Sequence, residues 1–129
     1  MAVIYPDIET TLVTHFKSVL SSDVYVATKK HPPTRTLALM PTKQLVINVS
    51  WANDRDVVTK FAGVVLEVYA PDDITASNLA LEVEAKLRNS IGAVIKKVDI
   101  IAGPVRLGDE TEQEKRSISA EVVVKATNL

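Results

Sequence analysis

The sequence predicts an α+β fold: a mixed, largely antiparallel sheet of about five strands flanked by two helices, in the order α-β-β-β-α-β-β. Three observations predict it. Residues 6–21 and 72–91 carry apolar side chains at helical spacing. Between and after them lie segments that alternate, or stay apolar, over strand lengths. The strands follow one another through short connections, which favours helices on one face of the sheet.

The first helix, residues 6–21, starts well. Pro6 suits the first turn, where its missing donor costs nothing, and Asp7 and Glu9 favour the positive end of the helix dipole. Ile8, Leu12, Phe16, Val19 and Leu20 form one apolar face, with His15 at its edge. Ser21-Ser22-Asp23 ends the helix, and a strand begins at Val24. Residues 29–43 are the least regular part, because Pro32-Pro33 and Pro41 forbid a continuous helix or a central strand. They read as a surface excursion whose short apolar piece, residues 37–40, tucks against the body.

The next strand alternates: Leu45, Ile47, Val49 and Trp51 on one side, Gln44, Val46, Asn48 and Ser50 on the other. Trp51 is therefore expected in the core, where truncation to alanine would cost roughly 3–5 kcal/mol. Residues 53–60 read as a hairpin connection. Residues 61–70 are apolar on both faces, the mark of a central strand. Residues 94–101 form the next strand and residues 117–127 the last, with Ile118, Ala120, Val122 and Val124 along one face. Between these two, residues 102–116 read as a loop rich in Gly, Pro and charge.

The second helix has two dry sides. Ala76, Leu79, Ala80, Val83, Leu87 and Ile91 cluster within about 120° of arc and should face the sheet. Ile74, Leu81 and Ala85 fall almost opposite, flanked by Asn78 and Arg88. Two readings stay open here. Isolated exposed apolar residues are common and carry no message, or another subunit covers this second stripe.

Composition bounds the function. The chain has 129 residues, fitting one domain, 1–129, with a core that needs no staples. A net charge of −1 gives no long-range field to hold a polyanion. There are no cysteines, hence no disulfide, thiolate metal site or cysteine nucleophile. The first residues lack a signal-peptide pattern, and no apolar run approaches the roughly 20 residues that span a bilayer. A soluble protein with no membrane partner is expected.

Reactive groups are few. His15 and His31 lack the i, i+4 spacing that places two ligands on one helix face. A metal-dependent hydrolase would have to join one of them to distant carboxylates. Asp72-Asp73 are better explained as a helix cap. Asp109, Glu110, Glu112 and Glu114 alternate with Arg106, Lys115 and Arg116, without the order of a calcium hand. The four glycines are isolated, so no phosphate loop exists, and there is no Gly-x-Ser-x-Gly elbow. Two Phe, three Tyr and one Trp are too few for a base-stacking platform. No enzyme, cofactor or metal is expected.

The order of features resembles the tail terminator proteins of long-tailed bacteriophages. An N-terminal helix opens on Pro6-Asp7. A strand ends in Tyr69-Ala70, followed by Pro71, Asp72-Asp73 and an Ala-rich helix. The next strand runs into Gly103-Pro104 with an acidic-basic segment, and an apolar strand closes the chain. Residues 61–127 carry the likeness, and residues 29–43 add little. Where the family usually has Trp-Ala this chain has Tyr69-Ala70, and Gly108 displaces Asp109 from the expected Pro-Asp.

The resemblance implies a virion structural protein, assembled in the host cytoplasm. It implies a ring on the tail tube, hexameric in many members, that stops tube growth and meets the head–tail connector. Its partners would be copies of itself, the tube protein and the connector or stopper, with DNA only as passing cargo in the lumen. A subunit in such a ring makes heterologous contacts on two sides. The expected interface residues are Ile74, Leu81 and Ala85 on the helix. In the segment after Gly103-Pro104 they are Arg106, Asp109, Glu112, Glu114 and Arg116. As a loop, this segment should be mobile in the free subunit. A head-completion or head–tail adaptor protein, and an α+β binding module unrelated to phages, stay open as alternatives.

Overall fold

A computed structural model describes residues 3–4, 7–29, 43–54, 59–92, 94–107, 114–125 and 127–128. Pro6, His31, the apolar piece at 37–40, Asp109, Glu110 and Glu112 lie outside the described residues.

Helix α1 (Ile8–Val19) is set by its cap. Asp7 stands in extended conformation and its Oδ1 accepts from the Thr10 N–H at 3.2 Å, satisfying one orphan donor of the first turn. Glu9 and Lys17 sit at the ends the dipole favours. Leu20 turns extended and gives its N–H to the Phe16 carbonyl, so the helix is shorter than the predicted 6–21. Ile8, Leu12 and Phe16 face inward.

Two-residue strands β1 (Val3–Ile4) and β7 (Thr127–Asn128) pair antiparallel near the chain ends. The main sheet has five strands: β2 (Val24–Ala27), β3 (Lys43–Asp54), β4 (Thr59–Ala70), β5 (Ile95–Leu107) and β6 (Glu114–Lys125), in the order β2-β3-β4-β6-β5. β2 and β3 are parallel, and the other pairings are antiparallel. Parallel neighbours cannot follow through a tight turn, which is why residues 28–42 separate β2 from β3. The fold is thus α+β, with the predicted element order and the small end pair added.

α1 packs on β2 and β3, and α2 (Asp73–Arg88) packs on β4, β5 and β6. Both helices share one face. β4 lies between β3 and β6 along its whole length, which explains why both of its faces are largely apolar from Phe61 to Ala70, with Glu67 as the exception. Its Ala62, Val64, Leu66 and Val68 meet the helices in one core with Leu45, Ile47, Ile118, Ala120, Val122 and Val124. β4, α2 and β5 form a split β-α-β unit, with β6 slotted between the two strands.

Two sequence expectations are corrected here. The predicted loop 102–116 is mostly sheet. β5 runs on to Leu107 and β6 starts at Glu114, with Val105↔Ser117, Arg106↔Arg116 and Leu107↔Lys115 in register. A proline is tolerated because β5 is an edge strand, and a register shift between Ala102 and Val105 absorbs Gly103-Pro104. The two strands leave only residues 108–113 between them.

The second correction is Trp51. Val49 pairs with Val64 but Trp51 pairs with Gly63, so a bulge falls at Ser50. Side chains alternate faces, so one extra residue moves Trp51 from the helix-covered face to the open one. There it is 41% exposed, and it covers Gly63, where an added Cβ would overlap the indole Nε1. Trp51→Ala should therefore cost about 1–2 kcal/mol, below the core expectation, when read by urea denaturation. Gly63→Ala should push the indole off the sheet and red-shift the fluorescence of the chain's single Trp.

Candidate interaction surface

Helix α2 positions the surface. Asp72 caps it, its Oδ1 accepting from the Thr75 N–H at 2.7 Å and its Oδ2 from the Thr75 hydroxyl at 3.0 Å. Ala76, Leu79, Ala80, Val83 and Leu87 are buried against the sheet. On the other side Ile74 is 74% and Leu81 58% exposed, and Ser77, Asn78, Ala85 and Arg88 are exposed with them. Both stripes are where the spacing put them, with one correction. Ile91, assigned to the sheet-facing stripe, lies beyond the helix end and is 54% exposed. Asn89 ends the helix, its N–H reaching the Ala85 and Leu87 carbonyls, so the periodicity stops applying. Ile101 and Val105 of edge strand β5 are exposed as well.

Arg106, Glu114 and Arg116 meet at the β5–β6 hairpin. Arg106 and Arg116 face each other across the ladder, an arrangement of like charges that repels unless neutralised. Glu114 neutralises it, taking Arg106 at 3.0 Å on one oxygen and Arg116 at 3.2 Å on the other. Arg106 is solvent-exposed, whereas Arg116 is 5% exposed. The Arg116 guanidinium also holds Asp73 in the first turn of α2 and the Lys115 carbonyl. Arg116 is therefore an internal tie between β6 and α2, not a surface loop residue. Asp109 and Glu112 cannot be placed with it, being outside the described residues.

The sheet face away from the helices carries a second polar cluster. Tyr69 donates to Glu67 Oε2 at 2.7 Å, and Lys115 Nζ reaches the same oxygen at 3.2 Å while standing 5.5 Å from the Tyr69 ring centroid. All three are partly buried or buried. No sequence motif marks this cluster, because Lys115 comes from a strand far along the chain. Only the Tyr69↔Lys115 register brings it there.

Charge in both clusters and at the α2 cap shapes the pH response. Glu114 is held below the usual carboxylate range by Arg106 and then Arg116, and Asp72 by the Thr75 N–H and hydroxyl. Their ionised forms favour the fold, so this stabilisation is complete above about pH 4.5 and is lost as pH falls through their lowered values. Burial and then the Glu67 hydrogen bond raise Tyr69. For Lys115, burial alone would lower the value, but its contacts with Glu67 and Tyr69 outweigh burial and raise it. Phenol and ammonium thus favour the fold below about pH 10, and their contribution is lost as pH rises through the raised values. Thermal melts across pH should show a plateau with an acid and an alkaline limb. Glu67→Gln should shrink the alkaline limb.

His15 and the grooves show no reactive pairing among the described residues. His15 Nε2 donates to the Lys86 carbonyl at 2.9 Å, tying α1 to the last turn of α2. A groove of about 450 Å³ beside β2 is lined by Lys17, Ser21, Ser22, Asp23 and Tyr25, with no histidine at its serines among the described residues. Among the described residues no three His, Asp or Glu side chains group as metal ligands, and no helix is long and apolar enough to cross a membrane. No protein-family model and no curated protein matches the chain.

Proposed function

We propose that this chain is a virion structural protein of the tail terminator type, which assembles as a ring on the tail tube, ends its polymerisation and meets the head connector. The observation that carries the reading is the ordered set of features from Tyr69-Ala70 through the acid-capped helix and Gly103-Pro104 to the apolar last strand. These residues form one structural unit, the split β-α-β with β6 slotted in. Support also comes from the outer side of α2, where Ile74, Leu81 and Ala85 are exposed on a well-capped helix. A subunit surrounded by partners has use for such a face. Of the two hairpin arginines, Arg106 is the one that stays available to a partner.

The test is tube growth. Tail tube protein of a long-tailed phage, polymerised with and without this chain, should give short tubes bearing a ring at one end when the chain is present. Unchanged tube lengths and bare ends in electron micrographs would overturn the reading.

A further inference from the structure

The outer stripe of α2 is arranged symmetrically about one residue. Taking 100° per residue, Ile74, Ser77, Leu81, Ala85 and Arg88 fall within roughly 80° of arc. They stand at −7, −4, 0, +4 and +7 from Leu81. A large apolar side chain is flanked one turn away on each side by a small one, serine before it and alanine after it, and all five positions are exposed. The ends differ in a complementary way: the helix begins with Asp73, which Arg116 holds but which keeps 62% of its side chain in solvent, and ends with Lys86 and Arg88.

We infer that this face pairs with the same face of a second copy, the two α2 helices antiparallel across a two-fold axis at Leu81. This goes beyond the tail-terminator reading and concerns the free protein. In that arrangement Leu81 meets its own mate. Ser77 lies against Ala85 of the other copy, where two small side chains let the helices approach. A helical serine hydroxyl reaches the carbonyl one turn earlier, so covering Ser77 does not strand a polar group. The stem of Arg88 covers Ile74, and its guanidinium points toward the acidic first turn of the opposite helix. Glu84 already steers Arg88 along its own helix at 3.0 Å. Antiparallel pairing also opposes the two dipoles and brings each acidic end to a basic one, whereas parallel pairing sets like ends together.

The contact is small. A 16-residue helix is about 24 Å long, and one helix pair covers less than the roughly 1,600 Å² of a standard stable interface. The dimer is therefore weak and concentration-dependent.

The absence of cysteine makes the geometry directly testable, without tube protein, so this result and the tube-growth result stand or fall separately. Single Leu81→Cys should form an 81–81 disulfide under mild oxidation. Ser77→Cys mixed with Ala85→Cys should give the mixed 77–85 product in preference to either self-pair. Equilibrium sedimentation of the unmodified chain should move from 14.1 kDa toward twice that mass as concentration rises. A chain that stays at 14.1 kDa at every concentration with no 81–81 product would overturn the inference. So would 85–85 self-linking that matches or exceeds the mixed product, since it would mean parallel helices.

Discussion

Arg116→Glu is expected to destabilise the fold by about 3–5 kcal/mol, because it removes a buried cation and leaves a buried anion in its place. Arg116 is 5% exposed and its guanidinium is shared by Asp73, Glu114 and the Lys115 carbonyl. A glutamate there would face two carboxylates with nowhere to turn. Asp73 keeps 62% of its side chain in solvent, so water screens that partner and places the cost toward the lower end. Arg116→Met keeps the stem and drops the charge. Glu114 then still has Arg106 at 3.0 Å, and the loss should be about half as large. Arg106→Glu, at an exposed position, should stay within about 1 kcal/mol. Urea denaturation of the three variants gives the ranking. A stable Arg116→Glu protein would mean that the tie between β6 and α2 is not made. The practical consequence concerns charge-reversal tests of the hairpin as an interface. Of its two arginines, only Arg106 reports on a partner, since Arg116 reports on the fold.

The order of helices and strands was legible because each element carries its own period. α1 and α2 show helical spacing, β3 alternates up to Val49, and β4 is apolar on both faces from Phe61 to Ala70 apart from Glu67. What stayed hidden depends on register. The bulge at Ser50 leaves no mark in composition, yet it transfers Trp51 to the opposite face. Gly103-Pro104 reads as a break, but an edge strand can absorb proline where a central one cannot. Arg116 and Asp73 are 43 positions apart, and only the split β-α-β connection brings them together. The exposed stripe of α2 was legible for the opposite reason, since helical geometry alone fixes which residues point away from the sheet.

That stripe gives the sharpest functional contrast, between two leucines on one helix. Leu87 is fully buried against the sheet, while Leu81 is 58% exposed. Leu87→Glu should unfold the protein, since an unpaired carboxylate in an apolar core costs several kcal/mol. At concentrations where the chain is monomeric, Leu81→Glu should leave the thermal midpoint within a degree or two of the parent, because the monomer keeps that position in water and glutamate is a good helix former. In an assembly that covers α2, however, the same carboxylate loses its water without gaining a partner. Ring formation on tubes should then fall below detection although the subunit is folded. Circular dichroism and tube-length counts on the same preparation separate the two effects. If Leu81→Glu caps tubes as well as the parent chain, the outer face of α2 is not the contact made on the tube. If it is folded but inert, assembly depends on a face that contributes almost nothing to the stability of the monomer.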